Sequence, residues 1–538
     1  MKAALVLTAL AATIAAAPSR ADAPHLEKRG NATQLVVDGK PFLILGGELG
    51  NSSASSEAYM APHWARLKAM HLNTVIAPVS WELVEPTEGK FDWSSLDSMI
   101  RAARANDLRL VILWFGAWKN SMSTYVPTWV KRDQKRFPRA ELSNGSGVEI
   151  LSAHAPATLD ADRRAFAAML GHLKAIDSAG NTVLMVQVEN EMGMLPIARD
   201  HGPLANAAFE GPVPAELTGY LAVHHATLVP ALRTLWEAHG ARTKGSWAEL
   251  FGSDDAGEEV FTAWHYARFA DALAQAGKAQ YPLPMYVNVA LNRPGRKPGE
   301  YPSGGPLPHL IDIWKAGAPH IDMLAPDIYF ANFSDIVARY HRPDNPLFLP
   351  EAHNAGNPTG PANAYLAIGA QDAIGFSPFS IESVDQSPGA LASAYDLLAQ
   401  LSPLILQAQG AGRIAGFKPS QDYDGAAHAE PQTFNLGNYR FTVSFEPATS
   451  PEKAAESGGL IIQTGPEDYL VAGQGVTITF IPIKDGSAGI DVAEEGRFVD
   501  GNWVAGRRLN GDQTHQGRHI GLAPGQWQIQ KFTLYSYK

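Results

Sequence analysis

Residues 182–193 read T-V-L-M-V-Q-V-E-N-E-M-G and change abruptly from apolar to polar side chains. The apolar run from Val183 to Val186 is typical of a strand that is buried on both faces of a parallel sheet. In (β/α)8 barrels, carboxylates that follow such strands lie at the end of the barrel where active sites are built. The stretch therefore predicts an α/β protein with a TIM (β/α)8 barrel and with Glu191 at the barrel mouth. A strand that simply ends in solvent is the alternative interpretation.

A second apolar strand that ends in a single carboxylate is expected further along the chain. Residues 345–350 read N-P-L-F-L-P and lead directly to Glu351. Glu191 follows the fourth predicted strand and Glu351 the seventh, which places the two across the mouth of a closed barrel. Retaining glycosidases use such a pair as acid/base and nucleophile, with the carboxyl groups about 5–5.5 Å apart. Asn190, directly before Glu191, suits a residue that holds a sugar hydroxyl.

Two sequence blocks resemble the family 35 glycoside hydrolases, which are chiefly β-galactosidases. The first matches the signature Q-V-E-N-E-[YF]-G from Gln187 to Gly193, except that Met192 replaces the aromatic residue. The second, residues 81–93, is similar to the pattern W-x-x-x-E-P-x-x-G-x-[FY]-x-[FW]. The resemblance implies a strand-four acid/base at Glu191 and a strand-seven nucleophile at Glu351.

The chain departs from this family at two positions of the predicted sugar site. Trp118 stands where the family usually has a glutamate that holds the sugar, and Pro78 stands where it has a tyrosine. Trp118 is interpreted as a platform on which a sugar ring stacks, with Lys119 or Asn120 as a hydroxyl ligand. The alternative is that these residues only shape the loop.

Other polar residues at predicted strand ends complete the candidate site. Tyr329 is expected to hydrogen-bond Glu351 and orient it, by strand-end geometry and by analogy with related barrels; the alternative is a wall residue. The remaining candidates are expected either to contact sugar hydroxyls or to belong to the polar interior of the barrel. They are Asn288, Glu48, Asp327 and Glu189.

Three regions are expected along the chain. Residues 1–23 predict a signal peptide, since Lys2 precedes the mainly apolar stretch Ala3–Ala17 and small residues follow. Secretion to a periplasm or to the medium is therefore expected. The barrel is predicted over residues 24–407, with a long insertion at about 194–277. Residues 408–538 alternate in short runs rich in glycine, threonine and aromatics, which predicts an all-β sandwich. This domain either binds carbohydrate or packs on the barrel and supports it.

Composition limits the classes of partner. The chain has 538 residues and a net charge of −11, without the extended basic clusters of nucleic-acid-binding proteins. The absence of cysteine excludes disulfides, thiolate nucleophiles and cysteine-ligated metals. The histidines are not spaced as metal ligands, so neither a metal nor another cofactor is expected. No membrane anchor is expected, and an oligosaccharide or glycan is the expected partner.

Together these features predict a retaining exo-glycoside hydrolase that removes terminal β-linked galactose. Another specificity on the same barrel, such as that of a β-glucosidase or an α-L-arabinosidase, is the first alternative. A non-catalytic carbohydrate-binding protein on a degenerate barrel is the alternative from a different class.

Overall fold

A computed structural model of the chain describes residues 22–447 and 450–538. The predicted signal peptide, residues 1–23, lies outside the described residues except for its last two positions. The strands of the first three quarters of the chain are, in order, β1 (His25–Arg29), β2 (Ala32–Val37), β3 (Lys40–Phe42), β4 (Ile44–Glu48), β5 (Thr74–Ser80), β6 (Arg109–Phe115), β7 (Arg139–Glu141), β8 (Gly147–Leu151), β9 (Val183–Gln187), β10 (Met285–Ala290), β11 (Met323–Ile328), β12 (Glu351–Ala352) and β13 (Gly375–Phe376).

Eight of these strands form the predicted barrel. They are parallel in the order β12-β11-β10-β9-β6-β5-β4-β13. A parallel bridge between Leu349 and Phe376 joins the two ends of this sheet and closes the ring. The strands are apolar on both faces because one face fills the barrel and the other packs against helices. The TIM barrel predicted from residues 182–193 is thus confirmed.

The last two strands of the barrel are short. The seventh strand, predicted over residues 345–350, is reduced to β12, and β12 and β13 have two residues each. Pro346 and Pro350 precede or flank the short seventh strand. Proline has no N–H to donate, so a ladder of hydrogen bonds cannot run through these positions.

Helices surround the barrel and fill its longer connections. They are α1 (Glu57–Met60), α2 (Trp64–Ala69), α3 (Trp81–Val84), α4 (Ser94–Ala105), α5 (Thr128–Arg132), α6 (Pro156–Asp177), α7 (Pro203–Glu210), α8 (Ala215–His224), α9 (Pro230–Ala238), α10 (Trp247–Phe251), α11 (Asp255–Gln280), α12 (Ile311–Gly317), α13 (Phe333–Tyr340), α14 (Gly360–Ala370) and α15 (Gly389–Ala408). The segment predicted as an insertion at 194–277 holds α7 to α10. It also includes most of α11, which packs against α6 as a helix of the outer ring.

The C-terminal part is built of antiparallel strands. Its elements are β14 (Ile414–Phe417), β15 (Ser420–Gln421), β16 (Ala427–His428), β17 (Gln432–Leu436), β18 (Tyr439–Phe445), α16 (Pro451–Ala455), β19 (Gly458–Gln463), β20 (Asp468–Gln474), β21 (Val476–Pro482), β22 (Ser487–Val499), β23 (Asn502–Arg508), β24 (His519–Leu522) and β25 (Gln528–Tyr537). One sheet has the order β14-β19-β20-β25-β22-β23 and a second has the order β17-β18-β21-β24. The predicted all-β sandwich is confirmed.

The larger sheet of the sandwich is buried on both faces along β19. Along β19, Leu460 and Ile462 belong to the core of the barrel, whereas Ile461 between them belongs to the core of the sandwich. Successive side chains of a strand point to opposite faces, so this alternation joins the two domains through one sheet. The domain therefore packs on the barrel, against α14 and α15. Within the described residues, α15 is the one helix with the length and apolar composition of a membrane span, and here it lies between barrel and sandwich.

Candidate active site

Four carboxyl groups gather at the ends of barrel strands. Glu48 ends β4, Glu191 follows β9, Asp327 lies near the end of β11 and Glu351 begins β12. All four side chains are buried. Glu48 is hydrogen-bonded to Glu351, and Asp327 is hydrogen-bonded to Glu191. The structure thus brings the two predicted catalytic glutamates into one cluster, as expected for strand ends at the same mouth.

A chain of side-chain amides positions Glu191. The Asn120 amide donates a hydrogen bond to the Glu191 carboxylate. The backbone N–H of Glu191 donates to Oδ1 of Asn288 at 2.9 Å, and Nδ2 of Asn288 donates to Asp327 at 2.6 Å. Asn120 and Asn288, which were predicted as sugar ligands, therefore hold the acid/base and its neighbour in this structure.

The backbone around Glu191 is strained in a way that separates neighbouring side chains. Glu189 and Glu191 both have left-handed conformations, with φ of 60° and 45°. Such values are uncommon for residues other than glycine, and they are enriched at functional sites. The result is that Glu191 joins the carboxyl cluster while Glu189 turns toward Asp162 of α6.

The environment of Glu191 suits an acid at neutral pH. Burial, together with the negative charge of Glu351, raises the pKa of Glu191 to about 7. The Lys119 ammonium and the hydrogen bond from Asp327 oppose this shift. General acids work best when their pKa lies near the operating pH, so Glu191 has the property that its predicted role requires.

Glu351 receives interactions that favour its ionised form. The Tyr329 hydroxyl donates a hydrogen bond to Oε1 of Glu351, as predicted for this tyrosine. Burial raises the pKa of Glu351, but this hydrogen bond, the charge of Lys119 and the Glu48 carboxyl hold it lower. Burial and the charge of Glu351 raise the pKa of Glu48 well above its usual value, which favours protonated Glu48 as the donor of its hydrogen bond to Glu351.

Lys119 supplies positive charge to this cluster. Its side chain is buried, and its ammonium lies 5.0 Å from the centre of the Phe115 ring. Its charge lowers the pKa of Glu48, Glu191 and Glu351. The interpretation of this residue as a hydroxyl ligand thus missed its electrostatic effect on the carboxyl groups.

Asn190 is buried beside this cluster with an unsatisfied side chain. Neither Oδ1 nor Nδ2 has a hydrogen-bond partner within residues 22–447 and 450–538. Leaving a buried amide unpaired costs free energy, and such groups are usually hydrogen-bonded to protein or to ordered water. The role of Asn190 as a ligand of a sugar hydroxyl stays a prediction, because its side chain is fully buried in the free protein.

Trp118 does not lie where a sugar-stacking platform would. It is completely buried, and its ring packs against Tyr266 at 5.3 Å and Phe269 at 4.6 Å, both on α11. The expectation that a sugar ring stacks on Trp118 is therefore corrected. Side chains alternate along an extended segment, so the residue that precedes Lys119 faces the helices when Lys119 faces the mouth.

A buried pair of carboxyl groups supports the Trp118 segment from behind. Glu189 accepts the backbone N–H of Trp118 at 2.8 Å, and Asp162 accepts that of Ala117 at 2.8 Å. Burial and the charge of Asp162 raise the pKa of Glu189 well above its usual value, and the two side chains are hydrogen-bonded to each other. Glu189 thus supports the loop that contains Trp118. The role of Asp162 was not predicted, because the residue pattern does not distinguish it from other aspartates in predicted helices.

Sequence comparisons are consistent with this site. Residues 53–273 match the model of glycoside hydrolase family 42, described as beta-galactosidase, and residues 391–521 match a domain of unknown function (DUF5597). A β-galactosidase of Xanthomonas manihotis is 30% identical over 209 residues, which cover 38% of this chain and 32% of that protein. The barrel is similar to those of β-galactosidase-type glycoside hydrolases.

Other comparisons cover similar parts of the chain. Beta-galactosidase-1-like protein 3 of Homo sapiens is 30% identical over 178 residues, which cover 32% of this chain and 25% of that protein. The alignments thus span a quarter to a third of the length of these curated relatives. The crystal structure of β-galactosidase from the psychrophilic Marinomonas ef1 aligns with a TM-score of 0.47 and 12% identity, over 71% of this chain and 64% of that chain. The coarser class, a glycoside hydrolase, is supported, whereas the family 35 assignment rests on the sequence motifs alone.

Proposed function

We propose that this chain is a retaining exo-glycoside hydrolase that releases terminal β-linked galactose from oligosaccharides or glycans. The observation that carries the proposal is the unequal environment of two glutamates in one cluster. Glu191 has a pKa of about 7 and keeps its proton through the weakly acidic range, whereas Glu351 accepts hydrogen bonds that favour its charge. A pair of carboxyl groups whose environments separate their roles in this way is what glycoside cleavage uses.

The first step forms a glycosyl ester. A carboxylate oxygen of Glu351 attacks the anomeric carbon, and the bond from that carbon to the leaving oxygen breaks. Glu191 gives its proton to the leaving oxygen, so an alcohol departs. Tyr329 holds the attacking carboxylate through its hydroxyl, and Asn190 offers its unpaired amide to a hydroxyl of the sugar.

The second step hydrolyses the ester. Glu191, now a carboxylate, takes a proton from water while the water oxygen bonds to the anomeric carbon and the bond to Glu351 breaks. Esterification removes the negative charge of Glu351, which is one cause of the raised pKa of Glu191. The pKa of Glu191 therefore falls after the first step, as its change from acid to base requires. Two inversions leave the configuration at the anomeric carbon unchanged.

The choice of galactose is supported by similarity. The matching barrel model and the curated relatives are described as β-galactosidases, and the motif from Gln187 to Gly193 resembles family 35. Trp118 and Pro78 depart from the pattern of that family, which keeps β-glucosidase or α-L-arabinosidase activity open as the alternative.

The test is hydrolysis of a panel of aryl glycosides by the wild-type protein and by Glu351→Gly, with and without azide. We expect the β-galactoside to be cleaved best, and the variant to be inactive until azide replaces the missing carboxylate and yields the α-galactosyl azide. Preference for another glycoside would refute the sugar assignment and leave the mechanism in place. Oligosaccharide binding without any hydrolysis would instead identify a non-catalytic carbohydrate-binding protein.

We also propose export to a periplasm or to the medium. The support is the sequence of residues 1–23, in which Lys2 precedes an apolar stretch and small residues follow. The mass of the protein recovered from the periplasm tests this, since export predicts loss of about the first 21 to 23 residues.

A further inference from the structure

The C-terminal domain reaches the barrel mouth beside the nucleophile. After β14, the chain passes Lys418 and forms the hairpin of β15 and β16, which packs against α13 of the barrel. Lys418 is 1% exposed, and its charge acts on His353, two residues beyond Glu351. The domain that supports the barrel from the side therefore also contributes to the rim of the site.

An aromatic surface connects this hairpin with the nucleophile. Tyr329, whose hydroxyl contacts Glu351, is 40% exposed, and the half-buried Phe330 follows it in the chain. Tyr423 at the tip of the hairpin contacts the Phe330 ring edge-to-face, with the ring centres 4.9 Å apart. Tyr423 is itself 39% exposed. The rings of Phe330 and Tyr423, which the two domains bring together one residue along the chain from Tyr329, thus form an aromatic row shared by barrel and hairpin.

We propose that Phe330 and Tyr423 form a binding surface for the sugar units on the leaving-group side of the scissile bond. The inference rests on the proposed function and deepens it, because it makes oligosaccharides with sugars beyond the cleaved bond the substrate class. An exo-acting enzyme holds the terminal sugar at the carboxyl groups, so the rest of its substrate extends toward solvent. Exposed aromatic rings bury the apolar C–H face of a sugar there.

The flanks of the row suit the hydroxyl groups of a sugar. Asp422 and His428 form an ion pair at 2.9 Å on the same hairpin, and both side chains are exposed. Asp424, next to Tyr423, is also exposed. Polar groups beside an aromatic ring match the two kinds of surface that a sugar ring presents.

The test compares Tyr423→Ala with the wild-type protein on two substrates. One is methyl β-galactoside, whose leaving group has neither a sugar nor an aromatic ring, and the other is a trisaccharide with a terminal β-galactose. We expect the variant to lose about tenfold in kcat/KM on the trisaccharide, the loss of one aromatic contact of about 1.4 kcal/mol. We expect methyl β-galactoside to be cleaved at the wild-type rate, and Tyr423→Phe to keep the wild-type rate on the trisaccharide.

Tyr535→Ala is the matched control. Tyr535 belongs to the same domain, is 46% exposed and contacts Tyr537 of its own strand. It should change neither rate. Equal rates of Tyr423→Ala and the wild-type protein on the trisaccharide, or equal losses on both substrates, would overturn the inference.

The outcome for the inference is separable from that for the proposed function. A wild-type protein that cleaves no glycoside refutes the proposed function. Calorimetric titration of the trisaccharide into the wild-type protein and Tyr423→Ala then still tests the surface. Equal affinities of the two proteins, or no binding by either, would overturn it, whereas weaker binding by the variant alone would support it.

Discussion

Replacing Tyr329 with phenylalanine removes the hydroxyl that donates to Glu351 and leaves the ring in place. A hydrogen bond to a charged group is worth about 1.5–3 kcal/mol. The bond favours ionised Glu351, so its loss raises the pKa of this carboxyl group. The ionised form of Glu351 is then less favourable by that free energy.

This change has a defined effect on the pH profile. The acid limb of kcat/KM reports ionisation of Glu351 in the free enzyme, and the alkaline limb reports loss of the Glu191 proton at a pKa of about 7. In Tyr329→Phe the acid limb moves up toward the alkaline limb. The fraction of enzyme with Glu351 ionised and Glu191 protonated falls, so the profile becomes narrower and its maximum lower.

The assay is hydrolysis of para-nitrophenyl β-galactoside across pH by Tyr329→Phe and by a matched control, Tyr286→Phe. Tyr286 is buried in the barrel, and its hydroxyl has no hydrogen-bond partner in the described part of the chain. The control should keep the wild-type profile. An acid limb of Tyr329→Phe that stays in place, or that moves to lower pH, would refute the reasoning.

Three further substitutions test other parts of the site. Lys119→Met removes a charge that lowers the pKa of Glu191, so the alkaline limb of the same profile should move above its wild-type position near pH 7; an unmoved limb would contradict this. Asn190→Ala should lower kcat/KM about threefold to tenfold, the value of one neutral hydrogen bond to the sugar, without lowering the midpoint of urea unfolding, because its amide is unpaired in the free protein. Glu85→Ala should lower that midpoint, because the buried Glu85 carboxylate accepts hydrogen bonds from Nε1 of Trp81 at 2.7 Å and from one backbone N–H. Each donor left unpaired costs about 1–3 kcal/mol.

The barrel could be predicted from local patterns because its strands are uniform. Apolar runs such as residues 109–115 indicate strands that are buried on both faces, and β6 spans these residues. The hairpin turn at Asp38-Gly39 joins β2 and β3, as the residue types predict. The length of the seventh strand, near Pro346 and Pro350, was harder to predict. It depends on which backbone N–H groups donate to the neighbouring strands, and the sequence alone does not specify this.

The two catalytic candidates could be found because each follows an apolar strand as a carboxylate. The positions of their neighbours could not, because the direction of a side chain in a loop depends on backbone angles that residue types do not specify. Trp118 is an aromatic residue of the kind on which sugar rings stack, but the alternation of side chains along its segment turns it toward α11. Glu189 and Glu191 have the same side chain, and only the turn between them decides which one reaches the mouth.

The charges of the site agree with the proposed two-step reaction. Burial and neighbouring carboxylates raise the pKa values of Glu48 and Asp327 well above their usual range, which favours the protonated form of both side chains. When both are protonated, one negative charge, on Glu351, faces the positive charge of Lys119 before the reaction. In the glycosyl ester Glu351 is neutral and Glu191 has lost its proton, so one negative charge again faces Lys119. Buried charges are costly unless an opposite charge balances them. Lys119 alone can balance the negative charge in both states, because that charge moves from Glu351 to Glu191.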